Sequence, residues 1–177
     1  MKTTDYQYYS IPSIIGWLGL ILFQDQLAFL MIGQSEEAVC DKIRRKIGFL
    51  PNHDKTRFCE WELLLQRYFL GEFVSFNRPT CFLTGTTLQK KIWKTLTAIP
   101  YGTVESYKAV ANRLGLKNHA RVIGMGCREN PLPVIIPCHR VICSDGTLGG
   151  YNGGIAIKKR LLAVEKIVLG AVSHDKA

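Results

Sequence analysis

The sequence predicts an α/β protein in two parts, an N-terminal α/β domain and a mainly helical C-terminal domain. Two apolar runs within residues 13–33 are joined at the polar Gln24–Gln26, which predicts a β-hairpin. Apolar residues at helical spacing recur along the rest of the chain. A stretch rich in proline, glycine and threonine interrupts that pattern at residues 76–87. We take this stretch as the linker and predict domains at residues 1–80 and 81–177.

Two helices follow the hairpin in the N-terminal domain. Ser35 precedes a segment with acidic residues in its first turn and basic residues near its end, a pattern typical of a capped helix. Residues 56–72 carry a second apolar stripe at helical spacing, which stops at Gly71.

The sequence of the C-terminal part predicts several short helices, one after another. Residues 86–100 form the first, closed by Pro100. Ser106 is the expected N-cap of the second, whose apolar positions and glycine stop are Tyr107, Val110, Ala111, Leu114 and Gly115. Asn118 is the expected cap of a third helix over residues 119–127. Two short helices about a tight glycine-containing turn resemble a helix-turn-helix, a motif that reads DNA.

The positive charge of the chain is concentrated in its C-terminal half. The formal net charge is +9 and the pI is about 9.4. Residues 1–86 hold 9 Lys+Arg and 9 Asp+Glu, whereas residues 87–177 hold 14 and 5. Segregated charge of this kind is typical of a surface that binds a polyanion, most often a nucleic acid. The alternative is a basic protein without such a partner.

The cysteines and the hydropathy favour a protein of the cell interior. The six cysteines do not predict a disulfide scaffold, because the chain is large and apolar enough to fold without one and shows no secretory signal. Residues 11–33 are interrupted at Gln24–Gln26, and neither flank reaches the roughly 18–20 residues that a membrane helix requires. We expect a monomer in the cytoplasm, or in the nucleus of a eukaryote.

Cys138, His139 and Arg140 form the most informative cluster in the sequence. They follow an apolar run that predicts a buried strand ending at Pro137, since proline cannot donate to a sheet. Nearby imidazole and cationic groups turn a thiol into a nucleophile. On an extended strand, however, His139 reaches Cys138 only through a bend or a bridging water. The alternative is a buried structural cysteine.

Two other kinds of cysteine site fit this cluster poorly. A cysteine protease normally draws its histidine from a distant part of the chain. A zinc site is not supported, because Cys138 and Cys143 have no second pair at matching spacing.

Residues 130–154, NPLPVIIPCHRVICSDGTLGGYNGG, resemble the active-site signature of the O6-alkylguanine-DNA alkyltransferases, also called methylated-DNA–protein-cysteine methyltransferases. The motif core is I-P-C-H-R-V, preceded by Asn-Pro and an arginine-bearing helix and followed by a glycine-rich loop. The resemblance covers about residues 85–168. It implies a ribonuclease H-like N-terminal domain and a winged-helix-like C-terminal domain that contains the helix-turn-helix.

The resemblance implies direct-reversal DNA repair. Family members transfer the alkyl group of O6-alkylguanine in double-stranded DNA to their own cysteine, here Cys138, in a single self-inactivating turnover. O4-alkylthymine is a further candidate substrate. No cofactor is implied, because the protein is the acceptor and the damaged DNA is the donor. We also expect no metal, since the zinc-ligand spacing of some members is not reproduced by Cys40, His53, Cys59 and Cys81.

The resemblance also assigns roles to individual residues. His139 relays the thiol proton, Glu165 holds the imidazole, and Asn130 organises the turn. Tyr107 protonates the departing guanine, and Arg121 fills the space of the flipped base. The implied DNA-binding set is Ser106, Tyr107, Ala120, Arg121 and Arg128, and the implied substrate-pocket set is Pro133, Tyr151, Asn152 and Gly153.

Glu165 has independent support from helical spacing. It falls within an apolar stripe, where a carboxylate is buried and needs a hydrogen-bonded partner; the stripe consists of Ile157, Leu161, Val164 and Val168. The alternative is a glutamate at the stripe edge that reaches water. Two positions depart from the family pattern or lack a role in it. Asn152 stands where some members have serine, and Cys127 is interpreted as a packing residue.

Two other functions remain open from the sequence. One is a lesion-binding module that flips the base without transferring its alkyl group. Relatives of that kind lack the cysteine, so Cys138 argues against it. The other is a DNA-binding regulator that senses alkylation through its thiol. It needs a further regulatory or DNA-binding segment, for which 177 residues leave little room.

Overall fold

The computed structural model describes residues 3–167, which divide into two compact units. The first unit comprises the residues up to Gly85 together with Pro131–Ile135. The second comprises Thr86–Asn130 and the chain from Ile136 onward. The first unit contains a sheet with helices and the second is mainly helical, so the predicted α/β class is confirmed. Among residues 3–167, no helix is both long and apolar enough to cross a membrane.

A four-stranded sheet forms the framework of the first unit. Its strands are β1 (Tyr6–Ser13), β2 (Gly16–Phe23), β3 (Gln26–Gly33) and β4 (Asn52–His53), in the order β3-β2-β1-β4. The pairs β1–β2 and β2–β3 are antiparallel, whereas β4 pairs parallel with β1. The predicted hairpin is confirmed as the β2–β3 turn, where Gln24 and Asp25 have positive φ angles of 48° and 61°.

Strand β1 was not predicted from the sequence. Buried and half-exposed positions alternate along most of it, and the buried ones include Tyr6, Tyr8 and Ser10. Aromatic rings with hydroxyl groups and a serine dilute the hydropathy signal, although the period of two is that of a strand. The predicted hairpin is therefore part of a three-stranded meander.

The two predicted helices of the first unit are confirmed as α1 (Glu36–Ile47) and α2 (Cys59–Phe69). Ser35 caps α1, since its Oγ accepts a hydrogen bond from the Ala38 N–H at 3.1 Å. Helix α2 ends just before Gly71, which adopts a φ of 82°.

Helix α1 packs on the sheet through its buried Val39 and Ile43. Gly19 of β2 makes this close approach possible. A Cβ at that position would lie 2.2 Å from Val39 Cγ1, far inside van der Waals contact. The helix therefore sits closer to the sheet than any residue with a side chain at position 19 would allow.

The second unit is mainly helical. Its elements are α3 (Thr87–Leu96), α4 (Tyr107–Arg113), α5 (Ala120–Arg128), α6 (Ile155–Val164) and the parallel strands β5 (Glu105–Ser106) and β6 (Val141–Ile142). Trp93 of α3 is fully buried, and its indole N–H donates to the Gly126 carbonyl of α5 at 2.9 Å. This bond orients α3 against the α4–α5 pair.

The two short helices predicted after residue 106 are confirmed as α4 and α5. Ser106 Oγ accepts from the Ala109 N–H at 3.0 Å, so the predicted cap of α4 is also confirmed. The prediction that Asn118 caps α5 was wrong. The residue that precedes α5 is His119, and its side chain makes no capping bond. Asn118 instead adopts a φ of 64°, a left-handed conformation that asparagine tolerates in a turn.

The strand predicted before Cys138 was also wrong. Residues 131–137 form bends, a turn at 134–135 and isolated bridge positions at 133 and 136, and Cys138–Arg140 form a single 3₁₀ turn. Pro133 and Pro137 lack N–H groups for a ladder, and Val134 has a φ of 75° that interrupts an extended chain. The run is apolar because it is buried and not because it is a strand. His139 is therefore not forced onto the face opposite Cys138.

Candidate active site

Cys138 is held at the start of the 3₁₀ turn with only 4% of its surface exposed. Asn130 Nδ2 donates to Cys138 Sγ at 3.0 Å and to the Ile136 carbonyl oxygen at 2.9 Å. One amide therefore fixes both the sulfur and the backbone that enters the turn.

Opposing influences set the ionisation of this thiol. Burial is the strongest and raises the pKa of Cys138 above its ordinary value. The hydrogen bond from Asn130 and the charge of Lys158 act in the other direction, because both favour the thiolate. The sulfur thus rests as a thiol in a site that already holds partners for the thiolate. Nucleophilic use of Cys138 requires a base that takes its proton.

A buried carboxylate binds the two residues that follow the thiol. Glu165 Oε1 lies 2.7 Å from His139 Nε2 and accepts from Arg140 Nη2 at 2.9 Å. Oε2 accepts from Arg140 Nε at 2.8 Å and from the Gly102 N–H at 3.2 Å. The side chains of His139 and Glu165 expose 0% and that of Arg140 exposes 10%. The burial predicted for Glu165 is confirmed, although Val168 of its stripe lies outside the described residues.

Protonation follows from these bonds. Burial alone raises the pKa of Glu165, but the hydrogen bonds from His139 and Arg140 outweigh it and hold the pKa at about 2. Burial lowers the pKa of His139, and this effect exceeds the opposing effect of the carboxylate. Near neutral pH the cluster is a carboxylate, a guanidinium and a neutral imidazole. With the Nε2 proton donated to Glu165, Nδ1 is the imidazole nitrogen that accepts a proton.

Arg140 has a larger part in the site than the sequence indicated. The sequence presents it only as a cation beside the thiol, yet it binds both oxygens of Glu165. Its Nη1 also donates to the Ile99 carbonyl oxygen at 2.6 Å. No local pattern could have revealed these partners, because they lie 25 and 41 residues away along the chain.

A cavity of about 610 Å³ lies within the second unit. Three segments line it: the start of α4, one side of α5, and the loop between β6 and α6. The lining residues are Tyr107, Ala120, Arg121, Gly124, Cys127, Arg128, Cys143, Gly149, Gly150, Tyr151 and Asn152. The structure thus brings together most of the predicted DNA-binding and pocket residues around one opening.

The remaining predicted pocket and DNA-binding residues lie outside this lining. Ser106 is engaged as the cap of α4. Gly153 is placed against the Tyr151 ring, since a Cβ there would lie 3.0 Å from Tyr151 Cε1. Pro133 belongs to Pro131–Ile135, which groups with the first unit. The pocket role of Pro133 therefore stays a prediction.

The thiol itself is also not among the lining residues. Three residues that do line the cavity nevertheless interact electrostatically with its sulfur; they are Tyr107, Cys127 and Tyr151. Cys138 is therefore close to the cavity and covered within the resting protein.

The loop that forms one wall of the cavity is fixed at two points. Tyr107 Oη donates to the Gly150 carbonyl at 3.3 Å, and Asn152 Nδ2 donates to the Arg128 carbonyl at 3.1 Å. Gly149 has a φ of 64°, and a Cβ there would lie 2.9 Å from the Tyr107 ring. Glycine is required at this point for the wall to rest on Tyr107.

Lys158 is a further site residue that the sequence reasoning missed. It is fully buried, and its Nζ donates to the carbonyl oxygens of Val141 and Leu148. Its neighbours Lys159 and Arg160 are exposed, so the basic run looked like a solvated face. A signal was present, because position 158 shares a helical face with the apolar positions three and four residues later. Within residues 3–167, no three His, Cys, Asp or Glu side chains are grouped to hold a metal ion.

Known proteins resemble this chain over both its sequence and its fold. Residues 87–167 match the family described as 6-O-methylguanine DNA methyltransferase, DNA binding domain. A methylated-DNA–protein-cysteine methyltransferase of Haemophilus influenzae is 35% identical over 167 residues, which span 94% of this chain and 89% of that protein. This chain belongs to the methylated-DNA–protein-cysteine methyltransferase family.

Further family members agree. A methylated-DNA–protein-cysteine methyltransferase of Mycobacterium tuberculosis is 44% identical over 102 residues, and the match spans 58% of this chain and 61% of that protein. The crystal structure of Mycobacterium tuberculosis OGT in complex with DNA superimposes with a TM-score of 0.79 at 35% identity, covering 90% of this chain and 92% of that one. A crystal structure of the O6-methylguanine methyltransferase of the same organism gives 0.78 at 35% identity, covering 91% and 93%.

The buried Glu165–Arg140 pair generates a stability prediction. Arg140→Met should lower the free energy of unfolding at neutral pH by about 3–5 kcal/mol, because it leaves a buried carboxylate short of a partner. The ionised carboxylate stabilises fully above its ordinary pKa of 4.5, and this stabilisation is lost as the pH falls towards about 2. The difference between wild type and variant in urea unfolding should therefore shrink in acid.

Arg44→Met is the matched control. Arg44 pairs with Asp41 at 2.8 Å on the surface, where both side chains are about half exposed. Its loss should change the free energy of unfolding by no more than about 1 kcal/mol. Equal effects of the two substitutions, or an Arg140→Met effect that is constant with pH, would contradict this account.

Proposed function

We propose that this chain is a direct-reversal DNA repair protein that takes the alkyl group of O6-alkylguanine onto Cys138. The observation that carries the proposal is a buried thiol bound at its sulfur by an amide and followed by a histidine bound to a buried carboxylate. Membership of a family named for transfer from methylated DNA to a protein cysteine supports the same reaction.

Each part of the transfer has a residue suited to it. His139 takes the Cys138 proton through a bridging water, and the sulfur attacks the alkyl carbon. The new C–S bond forms as the C–O6 bond breaks. Glu165 remains ionised at neutral pH, so it stabilises the imidazolium that forms. The thioether product offers water no activated centre, and the reaction stops after one turnover.

The departing guanine takes its proton from Tyr107 in this proposal, and the proton held by the His139 imidazolium then restores the phenol through water. Burial raises the pKa of Tyr107, so the hydroxyl keeps its proton and is available as a donor. Its bond to the Gly150 carbonyl is long at 3.3 Å. A bound base can therefore replace that acceptor at small cost.

Helix α5 supplies the proposed DNA-binding face. Arg121, Met125 and Arg128 are exposed and follow one another at i, i+4 and i+7. Cations on one helix face suit phosphates, and the planar guanidinium of Arg121 can occupy the gap left by an extruded base. The α4–turn–α5 pair with the small β5–β6 sheet supports a winged-helix-like helix-turn-helix.

We assign DNA binding and transfer to residues 81–177, which hold the excess positive charge. Residues 1–80 form a separate N-terminal domain in this proposal. An antiparallel meander with β4 parallel to β1 and two helices support a ribonuclease H-like fold there. O4-alkylthymine is a second proposed substrate.

The rival functions predict different chemistry at the sulfur. A lesion-binding module has no use for a buried thiol with an amide on its sulfur and a histidine bound to a carboxylate beside it. A regulator that senses alkylation shares the transfer step and differs in what the alkylated protein binds afterwards. The first experiment below separates transfer from binding alone.

The test is incubation with excess duplex that contains O6-methylguanine, followed by intact mass and peptide mapping. We expect the mass of one methyl group per protein, located on Cys138, and none in Cys138→Ser because a serine hydroxyl does not ionise near neutral pH. Cys127→Ser is the control and should accept one methyl group. Repeated turnover, or label on another cysteine, would overturn the proposed mechanism.

The role of Arg121 can be tested with two substrates. Arg121→Ala should slow repair of duplex DNA by roughly 10- to 100-fold, since extrusion of the base costs a few kcal/mol. Reaction with free O6-benzylguanine should be nearly unchanged, because a free base needs no extrusion. Arg44→Ala, a charge-matched change in the first unit, should affect neither rate. Equal losses with both substrates would exclude Arg121 from base flipping.

A further inference from the structure

Lys158 is a buried cation that the mechanism above does not use. Its side chain has no exposed surface, and its Nζ donates to the Val141 carbonyl at 2.5 Å and to the Leu148 carbonyl. Val141 directly follows the turn that carries Cys138. Leu148 directly precedes Gly149 in the cavity wall. One side chain on α6 therefore joins the reactive turn to the wall.

Within the part of the chain that the structure describes, the charge of Lys158 has no carboxylate partner. None of the ion pairs found among residues 3–167 includes it. The titratable groups that face it are three thiols, an imidazole and a phenol; they are Cys127, Cys138, Cys143, His139 and Tyr107. The centroid of the Tyr107 ring lies 5.8 Å from Lys158 Nζ. Of these groups, only the thiol of Cys138 has to become an anion before the alkyl group moves, whereas Tyr107 gives up its proton only as guanine departs.

Lys158 and Cys138 compensate for each other's burial. Burial lowers the pKa of Lys158 and raises the pKa of Cys138, and each group opposes the effect of burial on the other. Cys127 also interacts with Lys158, but burial raises the pKa of Cys127 so far that its thiol stays neutral. Of the three thiols that interact with Lys158, Cys138 is the proposed nucleophile, so the buried charge acts on the reactive sulfur.

We propose that Lys158 is a positioning residue of the alkyl transfer, whose ammonium fastens the cavity wall to the reactive turn and provides the positive charge that receives the Cys138 thiolate. The inference rests on the proposed function. Its electrostatic part, however, concerns the ionisation of Cys138 in the resting protein and can be measured without DNA.

Two substitutions separate the effect of the Lys158 charge from the effect of its hydrogen bonds to the Val141 and Leu148 carbonyl oxygens. Lys158→Gln removes the charge and keeps N–H donors that can reach a backbone carbonyl. Lys158→Met fills a similar volume and removes both the charge and the donors. Lys159→Gln is the matched control, because Lys159 is the adjacent lysine of α6 and is exposed.

The first measurement is the titration of Cys138 by the 13Cβ chemical shift of labelled cysteine, assigned with Cys138→Ser. We expect Cys138 in Lys158→Gln to ionise at higher pH than in wild type, and Lys159→Gln to match wild type. An unchanged titration in folded Lys158→Gln overturns the charge role. Should Lys158→Gln fail to fold, the Lys158 13Cε titration in Cys138→Ser decides, because the coupling is reciprocal. Its midpoint should fall below that of wild type, and an equal midpoint overturns the proposal.

The second measurement is the rate of transfer from free O6-benzylguanine as a function of pH. In Lys158→Gln the rate near neutral pH should fall by about tenfold or more and recover in alkali, since a nearby cation shifts the thiolate fraction by at least that factor. Lys158→Met should be slow at every pH. A pH-independent loss in Lys158→Gln contradicts the charge role. No transfer by wild type would instead contradict the proposed function, while the shifted Cys138 titration would still support the coupling.

Discussion

The buried carboxylate of Glu165 is the interaction on which the rest of the site depends. A carboxylate in a dry interior is unstable by several kcal/mol unless charged and polar groups surround it. Glu165 meets this requirement with a guanidinium on both oxygens, an imidazole and a backbone N–H. The turn at Cys138–Arg140 has to present two of these groups at once. The positions of His139 and of the preceding sulfur follow from that constraint.

The cavity wall, on the other side of the site, is also held in place by hydrogen bonds. The loop that forms the cavity wall contributes few side chains of its own to a core. It is held instead by hydrogen bonds with Tyr107 of α4, with the last residue of α5 through Asn152, and with Lys158 of α6. His139 is therefore fixed by bonds to a charged group, whereas the surface that receives a base is fixed by single hydrogen bonds, of which only that from Lys158 is charged. This division suits a site that has to open for its substrate.

Much of this architecture could be predicted from local sequence patterns. The hairpin about Gln24–Gln26, the helices and the Ser35 and Ser106 caps each depend on residues within a few positions of one another. The motif around Cys138 indicated the family, and the apolar stripe indicated a buried Glu165. Periodicity failed where burial and secondary structure diverge, as in the apolar run before Cys138 that forms turns.

Contacts between distant parts of the chain could not be predicted from the sequence alone. In the sequence, Arg140 looks like a cation beside the thiol and Lys158 like a member of an ordinary basic run. Only the fold shows that Arg140 binds a carboxylate and that Lys158 binds two carbonyl groups. Pro133 belongs to a segment that groups with the first unit, so the pocket role that the resemblance implies for it stays a prediction. Local sequence motifs identify the reactive groups, but the residues that bind those groups are determined by the tertiary structure.

The most direct test of the central claim is the pH dependence of alkyl transfer in wild type and in Glu165→Gln. If Glu165 holds His139 as the base for Cys138, the variant should bind DNA normally, transfer more slowly, and reach its maximal rate only at higher pH, because the imidazolium is less stabilised. Folding is checked by urea unfolding of both proteins, and transfer is measured as the mass gain on Cys138. A folded Glu165→Gln protein with an unchanged pH–rate profile would contradict the account.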